Sequence, residues 1–165
     1  MRCGRVADNL FLKKSRTKLK KVSTRDIRTK GFAPHGSMEL AVLDRLNVIE
    51  AKGPFNLELV KAGDVVQEKL DADLQAKGRW GTLLIFTESA LISFEALAEV
   101  EHILKRRMAK GICPQAVALV LGPDVEGASM LSSHYLKAYT NAGINARLFE
   151  QRAAAQDWLL KEIGE

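Results

Sequence analysis

The chain has 165 residues, 47% of them hydrophobic, which fits one ordinary domain able to bury most of its unfolded apolar surface. Its net charge of +5 joins two unlike parts, since residues 1–37 hold 11 Lys/Arg against 2 Asp/Glu while residues 38–165 hold 14 against 18. A domain that docks on a phosphate backbone needs basic charge on its docking face, so nucleic acid is not an expected partner of the mildly acidic larger part.

In chain order, the first 37 residues include the stretch "FLKKSRTKLKKVSTRDIRTKGFAPHGS", rich in Lys, Arg, Ser and Thr and without sustained helical or strand periodicity. It reads as a disordered or loosely attached extension, with a basic arm or a transit peptide as the functional alternatives. Removing residues 1–37 is then expected to leave the unfolding midpoint nearly unchanged, unless residues such as Leu19 or Val22 cover an open sheet face. The folded domain is expected over 38–165. It opens with "ELAVLD" and "LNVIEAKG", two short strands read as a hairpin.

Asn56 caps the next helix, whose apolar positions Leu59, Ala62, Val66, Leu70 and Leu74 form one stripe, with Gly78 as its stop. "TLLIF" is a continuous apolar strand, the pattern of one covered on both faces. Ser93 caps a second helix with an expected buried stripe of Phe94, Leu97, Val100, Leu104 and Met108; Lys105, Arg106, Arg107 and Lys110 near its end complement the helix dipole. "AVALVLG" is the third β/α strand, followed by a helix with Ala128, Leu131, Tyr135, Tyr139 and Ala142 on one side. "ARLFE" and "AAAQDWLLKEI" close the order ββαβαβαβα. Short joints between alternating strands and helices require parallel pairing through right-handed crossovers, giving an α/β, mostly parallel sheet with an N-terminal β pair. Crossovers that all advance one way put every helix on one face, so the opposite face needs a chain reversal or a partner to cover it.

The chemistry-bearing motifs are largely excluded. "LVLGPDVEGAS", residues 119–129, has the glycine spacing of a phosphate-binding loop, but Ala128 and Ser129 stand where Lys and Ser/Thr are needed, and Asp124 and Glu126 would repel an anion. It reads as a plain strand-turn-helix joint. There is no G-x-G-x-x-G after a strand, no G-x-S-x-G and no H-E-x-x-H, so no cofactor and no metal is expected. Ser89 and Asp124 sit where α/β active sites lie, yet His35 is in the tail and His102 and His134 are inside helices, which leaves no base within reach and no expected enzymatic activity. Cys3 and Cys113 lack metal-ligand or disulfide-framework spacing, consistent with a reducing, cytoplasmic setting. No apolar run approaches the roughly 20 residues of a membrane span.

The run "LLIFTESALISFEAL", then "AVALVLG", then "ARLFEQRAAAQDWL" resembles the SpoIIAA-like proteins of the STAS/SEC14 superfamily, in a small bacterial branch of unknown function, over about residues 38–163. The resemblance implies a four-turn β/α coil behind the N-terminal β pair. Anti-anti-sigma members carry a phosphorylatable Ser in an Asp-x-Ser-Gly stretch; Ile92-Ser93-Phe94-Glu95 departs from it, so the phospho-switch is not carried over and Ser93 is expected as a helix cap. What the resemblance implies is a non-enzymatic regulatory or protein-interaction module, with Glu88, Ser89, Ser93, Phe94 and Asp124 as the binding surface. Its partner is an unidentified protein, and a homodimer is left open. The SEC14-like alternative is a binder of a small apolar or lipid-like ligand, in a gap that the small residues Ala62, Gly63 and Ala98 would leave between helix and sheet.

Overall fold

The computed structural model describes residues 21–28 and 32–164. Six strands lie in chain order in one sheet: β1 (Lys21–Ser23), β2 (Ser37–Leu43), β3 (Leu46–Lys52), β4 (Gly81–Thr87), β5 (Ala116–Val120) and β6 (Ala146–Phe149). The first three pair antiparallel and β3 to β6 pair parallel. Helices α1 (Leu57–Gln75), α2 (Phe94–Ala109) and α3 (Ala128–Asn141) connect the parallel strands, and α4 (Arg152–Ile163) follows the last one. The expected order ββαβαβαβα is present, preceded by one additional strand.

That strand corrects the expectation for part of the N-terminal extension. Lys21 to Ser23 pair with Ala41 to Glu39, closing the outer edge of the β2–β3 hairpin. A single 3-10 turn, Thr24–Asp26, follows, and Thr24 is buried. Its hydroxyl accepts from the Met38 N–H at 3.0 Å and donates to the Met38 carbonyl at 3.5 Å, so one side chain clasps both backbone groups of a β2 residue. Val22 and Ile27 pack against the core. Residues 33–35 are tied down as well, since Asn56 Nδ2 donates to Ala33 O at 3.0 Å and Asn56 Oδ1 accepts from His35 N at 2.9 Å. A strand of three residues is too short to show periodicity; its pairing with β2 holds it. Residues 1–20 and 29–31, with Leu10, Phe11, Leu12, Leu19 and Cys3, lie outside the described residues.

The helices start where their caps predict. Asn56 Oδ1 also accepts from Leu59 N at 3.1 Å to open α1, and Ser93 Oγ accepts from Ala96 N at 3.2 Å to open α2, each satisfying a donor that has no partner within its helix. The stripe Leu59, Ala62, Val66, Leu70 and Leu74 of α1 is buried as expected. The stripe of α2 is rotated: Ala96, Ile103 and Arg107 are its buried residues, Leu97, Val100, Leu104 and Met108 are half-buried, and Phe94 is 86% exposed. The physical reason is that α2 lies between α1 and α3 as well as over the sheet, so its inward direction is set by two neighbours.

Because every right-handed crossover moves one strand in the same direction, α1, α2 and α3 cover the same face of the sheet. Their core there is built on Ile49, Ala51, Leu84, Phe86, Val117 and Leu119 with Tyr135 and Tyr139 from α3. The opposite face, carrying Leu46, Val48, Leu83, Ala116, Ala118 and Val120, is covered by Ala155, Leu159 and Ile163 of α4. The chain reversal that the strand pattern calls for is α4. Trp158 packs on Phe149 with ring centroids 5.5 Å apart, and Asn145 Nδ2 donates to Glu162 Oε2 at 3.0 Å. A Cβ on Gly81 would lie 3.1 Å from Leu159 Cδ2, which shows how closely α4 approaches β4.

Candidate functional site

The carboxyl ends of β3, β4 and β5 feed three loops, and backbone hydrogen bonds join them into one rim. Gly53 N donates to Ser89 O at 3.0 Å and Phe55 N to Leu91 O at 2.7 Å, joining the β3–α1 and β4–α2 loops. Glu126 N donates to Glu88 O at 2.9 Å and Ala90 N to Glu126 O at 2.8 Å, joining the β4–α2 and β5–α3 loops. The pairing is that of short parallel bridges, Phe55 with Ile92 and Ser89 with Glu126, which continue the sheet beyond its strands. Two glycines permit this closeness. A Cβ on Gly53 would run into the Ser89 carbonyl oxygen; Gly127, at φ +78°, opens α3 in the left-handed region, with Leu91 Cδ2 only 2.8 Å from where its Cβ would be.

The rim places the sequence-derived residues unequally. Glu88 is exposed, holds φ +60° and pairs with Lys52 Nζ at 2.5 Å. Ser89 is buried; its Oγ accepts from Leu91 N at 3.2 Å, so its hydroxyl shapes the loop from within. Ser93 is exposed and acts as the α2 cap. Phe94, the first residue of α2, projects into solvent. Asp124 is exposed in the turn closed by Val125 N donating to Gly122 O at 3.1 Å. The 119–129 segment is thus a strand, a turn and a helix start. Met130 in the first turn of α3, 66% exposed, joins this edge and has no counterpart in the sequence reading. His102 and His134 are exposed on α2 and α3, and among the described residues no histidine hydrogen bonds to Ser89.

A second feature lies beneath the helices. A cavity of about 70 Å³ separates the main core from a small cluster in which Val60 of α1 packs against Ala96 and Ile103 of α2. Its walls are Ile49, Ala51, Leu84 and Phe86 from the sheet, Val60 and Gly63 from α1, Val100 and Leu104 from α2, and Tyr135 from α3. Of the small residues expected to leave such a gap, Gly63 lines it; Ala62 is buried elsewhere and Ala98 is exposed.

One end of the cavity is closed by charge. Arg107, 5% exposed, donates through Nη1 to Asp71 Oδ2 at 2.9 Å and through Nη2 to Asp64 Oδ1 at 2.6 Å and Asp64 O at 3.1 Å. Arg106 pairs with the other oxygen of Asp64. Asn47 Nδ2 donates to Asp71 Oδ1 at 2.9 Å, which ties β3 into the network. Burial pushes the Asp71 carboxyl up to about 6, against the lowering by Arg107 and the Asn47 hydrogen bond. Burial likewise raises Tyr139 to about 12 and pushes the Tyr135 phenol up; Tyr135 donates to Ala90 O at 2.8 Å, linking α3 to the rim. The sequence reading places Arg107 among the basic residues near the end of α2 that complement its dipole. Its i−4 spacing from buried Ile103, seven residues after Ala96, is the only local signal of its burial.

Among the described residues no group of three or more His, Cys, Asp or Glu is placed to hold a metal ion, and no helix is long and apolar enough to cross a membrane. No family model, no curated protein and no solved structure matches the chain.

Proposed function

We propose that this chain is a non-enzymatic, STAS-type regulatory or protein-interaction module of the SpoIIAA-like kind that docks a protein partner on the rim at the carboxyl edge of its sheet. The observation that carries the reading is Phe94, 86% exposed on the first residue of α2. An aromatic ring standing in water on a rigid support is the kind of residue that anchors an interface, because it brings a large apolar area with little side-chain entropy to lose. Met130 adds a second, adaptable apolar side chain, and Glu88 and Asp124 supply acidic groups at the periphery. The backbone bonds among the three loops pre-organise the surface, which lowers the cost of binding. Ser93 contributes as a cap.

The test is a photocrosslinking amino acid placed at Met130 in cells that make the full chain, with Val65, exposed on α1, as the control position. One discrete protein adduct is expected from position 130 and not from 65, and Phe94→Asp is expected to abolish it while leaving the unfolding midpoint unchanged. Equal labelling from both positions, or no adduct, would refute the module.

A second reading, a binder of a small apolar ligand, is favoured by the cavity beneath α1 and α2. At about 70 Å³ it suits a small molecule and is well short of the several hundred Å³ that a lipid-like chain needs.

A further inference from the structure

We infer that the cleft between α1 and α2 is a binding site for a small neutral organic molecule, an apolar body of about four heavy atoms carrying one hydroxyl or carbonyl group. The inference rests on the second reading above and gives it a ligand chemistry. The core supplies the first argument: over the α1–α3 face the buried residues fall into two clusters, and the cavity lies between them with Ile49, Leu84 and Phe86 on one side and Val60 and Ile103 on the other. The space is therefore set by where two packed units meet. Its apolar walls fix the body of the ligand.

Charge decides the head group. At the polar end the charged wall residues are Asp64 and Arg107, which pair with each other and, behind the wall, with Arg106 and Asp71 respectively, so the charges are already paired. An entering ion of either sign would be desolvated without a free counter-charge, which excludes carboxylates and ammonium groups in favour of neutral molecules. Gln67, half-buried in the wall near this end, makes no side-chain hydrogen bond among the described residues. Its amide offers both a donor and an acceptor, which a hydroxyl matches fully and a carbonyl matches through the N–H.

Gly63 keeps the space open. A Cβ there would lie 2.8 Å from Met38 Sδ, and the flexible thioether, itself part of the wall, would be pushed towards the cavity. Gly63→Ala is thus a filling variant that helix propensity favours, since alanine is the better residue inside a helix.

The experiment is amide NMR of the full chain with four separate probes: xenon, 1-propanol, propionate and propylammonium. Saturable shifts at Gly63, Gln67, Ile103 and Leu104 are expected with xenon and with 1-propanol, the alcohol binding about tenfold or more tighter than either ion. Gly63→Ala and, independently, Val100→Leu are expected to weaken both probes while the rest of the spectrum stays folded. Shifts with xenon but none with propanol, or ions binding as well as the alcohol, would overturn the ligand chemistry while leaving the cavity reading intact. Absence of shifts with every probe, or shifts indifferent to both filling variants, would overturn the two together.

Discussion

Asp71 shows what one buried carboxylate does to this protein. It is 3% exposed, and its proton affinity is raised from 3.8 to about 6, burial being the largest cause and Arg107 the main opposing one. A folded-state value above the unfolded one means that the native chain holds the extra proton through that interval. The associated stability is therefore complete below 3.8 and is lost as pH rises through about 6. Between pH 7 and pH 5 this group alone is expected to add about 1 kcal/mol, opposite in sign to the usual ion-paired carboxylate. Urea unfolding at the two pH values measures it: Asp71→Asn should remove this increment from the pH dependence. An identical dependence in wild type and variant would show that Asp71 titrates normally. The one local sign is the spacing of Arg107 from Ile103, because Arg106 and Arg107 read as dipole-complementing charges at a helix end until Asp71 and Asp64, 36 and 43 residues before Arg107, are brought opposite.

Among the elements, the N-terminal strand and the second helix depart most from the sequence reading. Deleting residues 1–37 to begin at Met38 removes β1, the Thr24 clasp on Met38, the cover given by Val22 and Ile27, and Ala33 and His35 from their bonds to Asn56. The midpoint should fall by about 5 °C or more, since each 1 kcal/mol is worth roughly 2–4 °C in a domain of this size. An unchanged midpoint by calorimetry would show that β1 adds nothing. For α2, the 3.6-residue period correctly marks a helix and its cap, but a period cannot say which of two adjacent stripes faces inwards when helices flank both sides. Phe94 therefore reads as core and stands in solvent, while Arg107 reads as surface and is buried.

Taken together, the layers form a sandwich of helices, sheet and helix in which α4 is the helix that covers the second face among the described residues. Leu159→Ala removes a fully buried side chain that meets Gly81 and is expected to cost about 2–5 kcal/mol, read from denaturant unfolding. A loss within the range of surface substitutions would mean that α4 is not needed to hold that face. From Met38 onward the class and order of the elements were legible in the amino-acid sequence: β-type runs at "ELAVLD", "TLLIF" and "AVALVLG", helix starts at Asn56 and Ser93, and stops at Gly78, Gly111 and Gly143. These are local signals, carried by periodicity, caps and backbone freedom within a few residues. Folding in three dimensions settled the rest: that Lys21–Ser23 complete the sheet, that α4 crosses to the far face, that Ser89 is sealed inside the rim while Phe94 and Met130 remain outside, and that a cavity closed by Arg107 lies under α1 and α2. Each of those depends on groups far apart in the chain meeting in space, and no local pattern encodes which partner will be there.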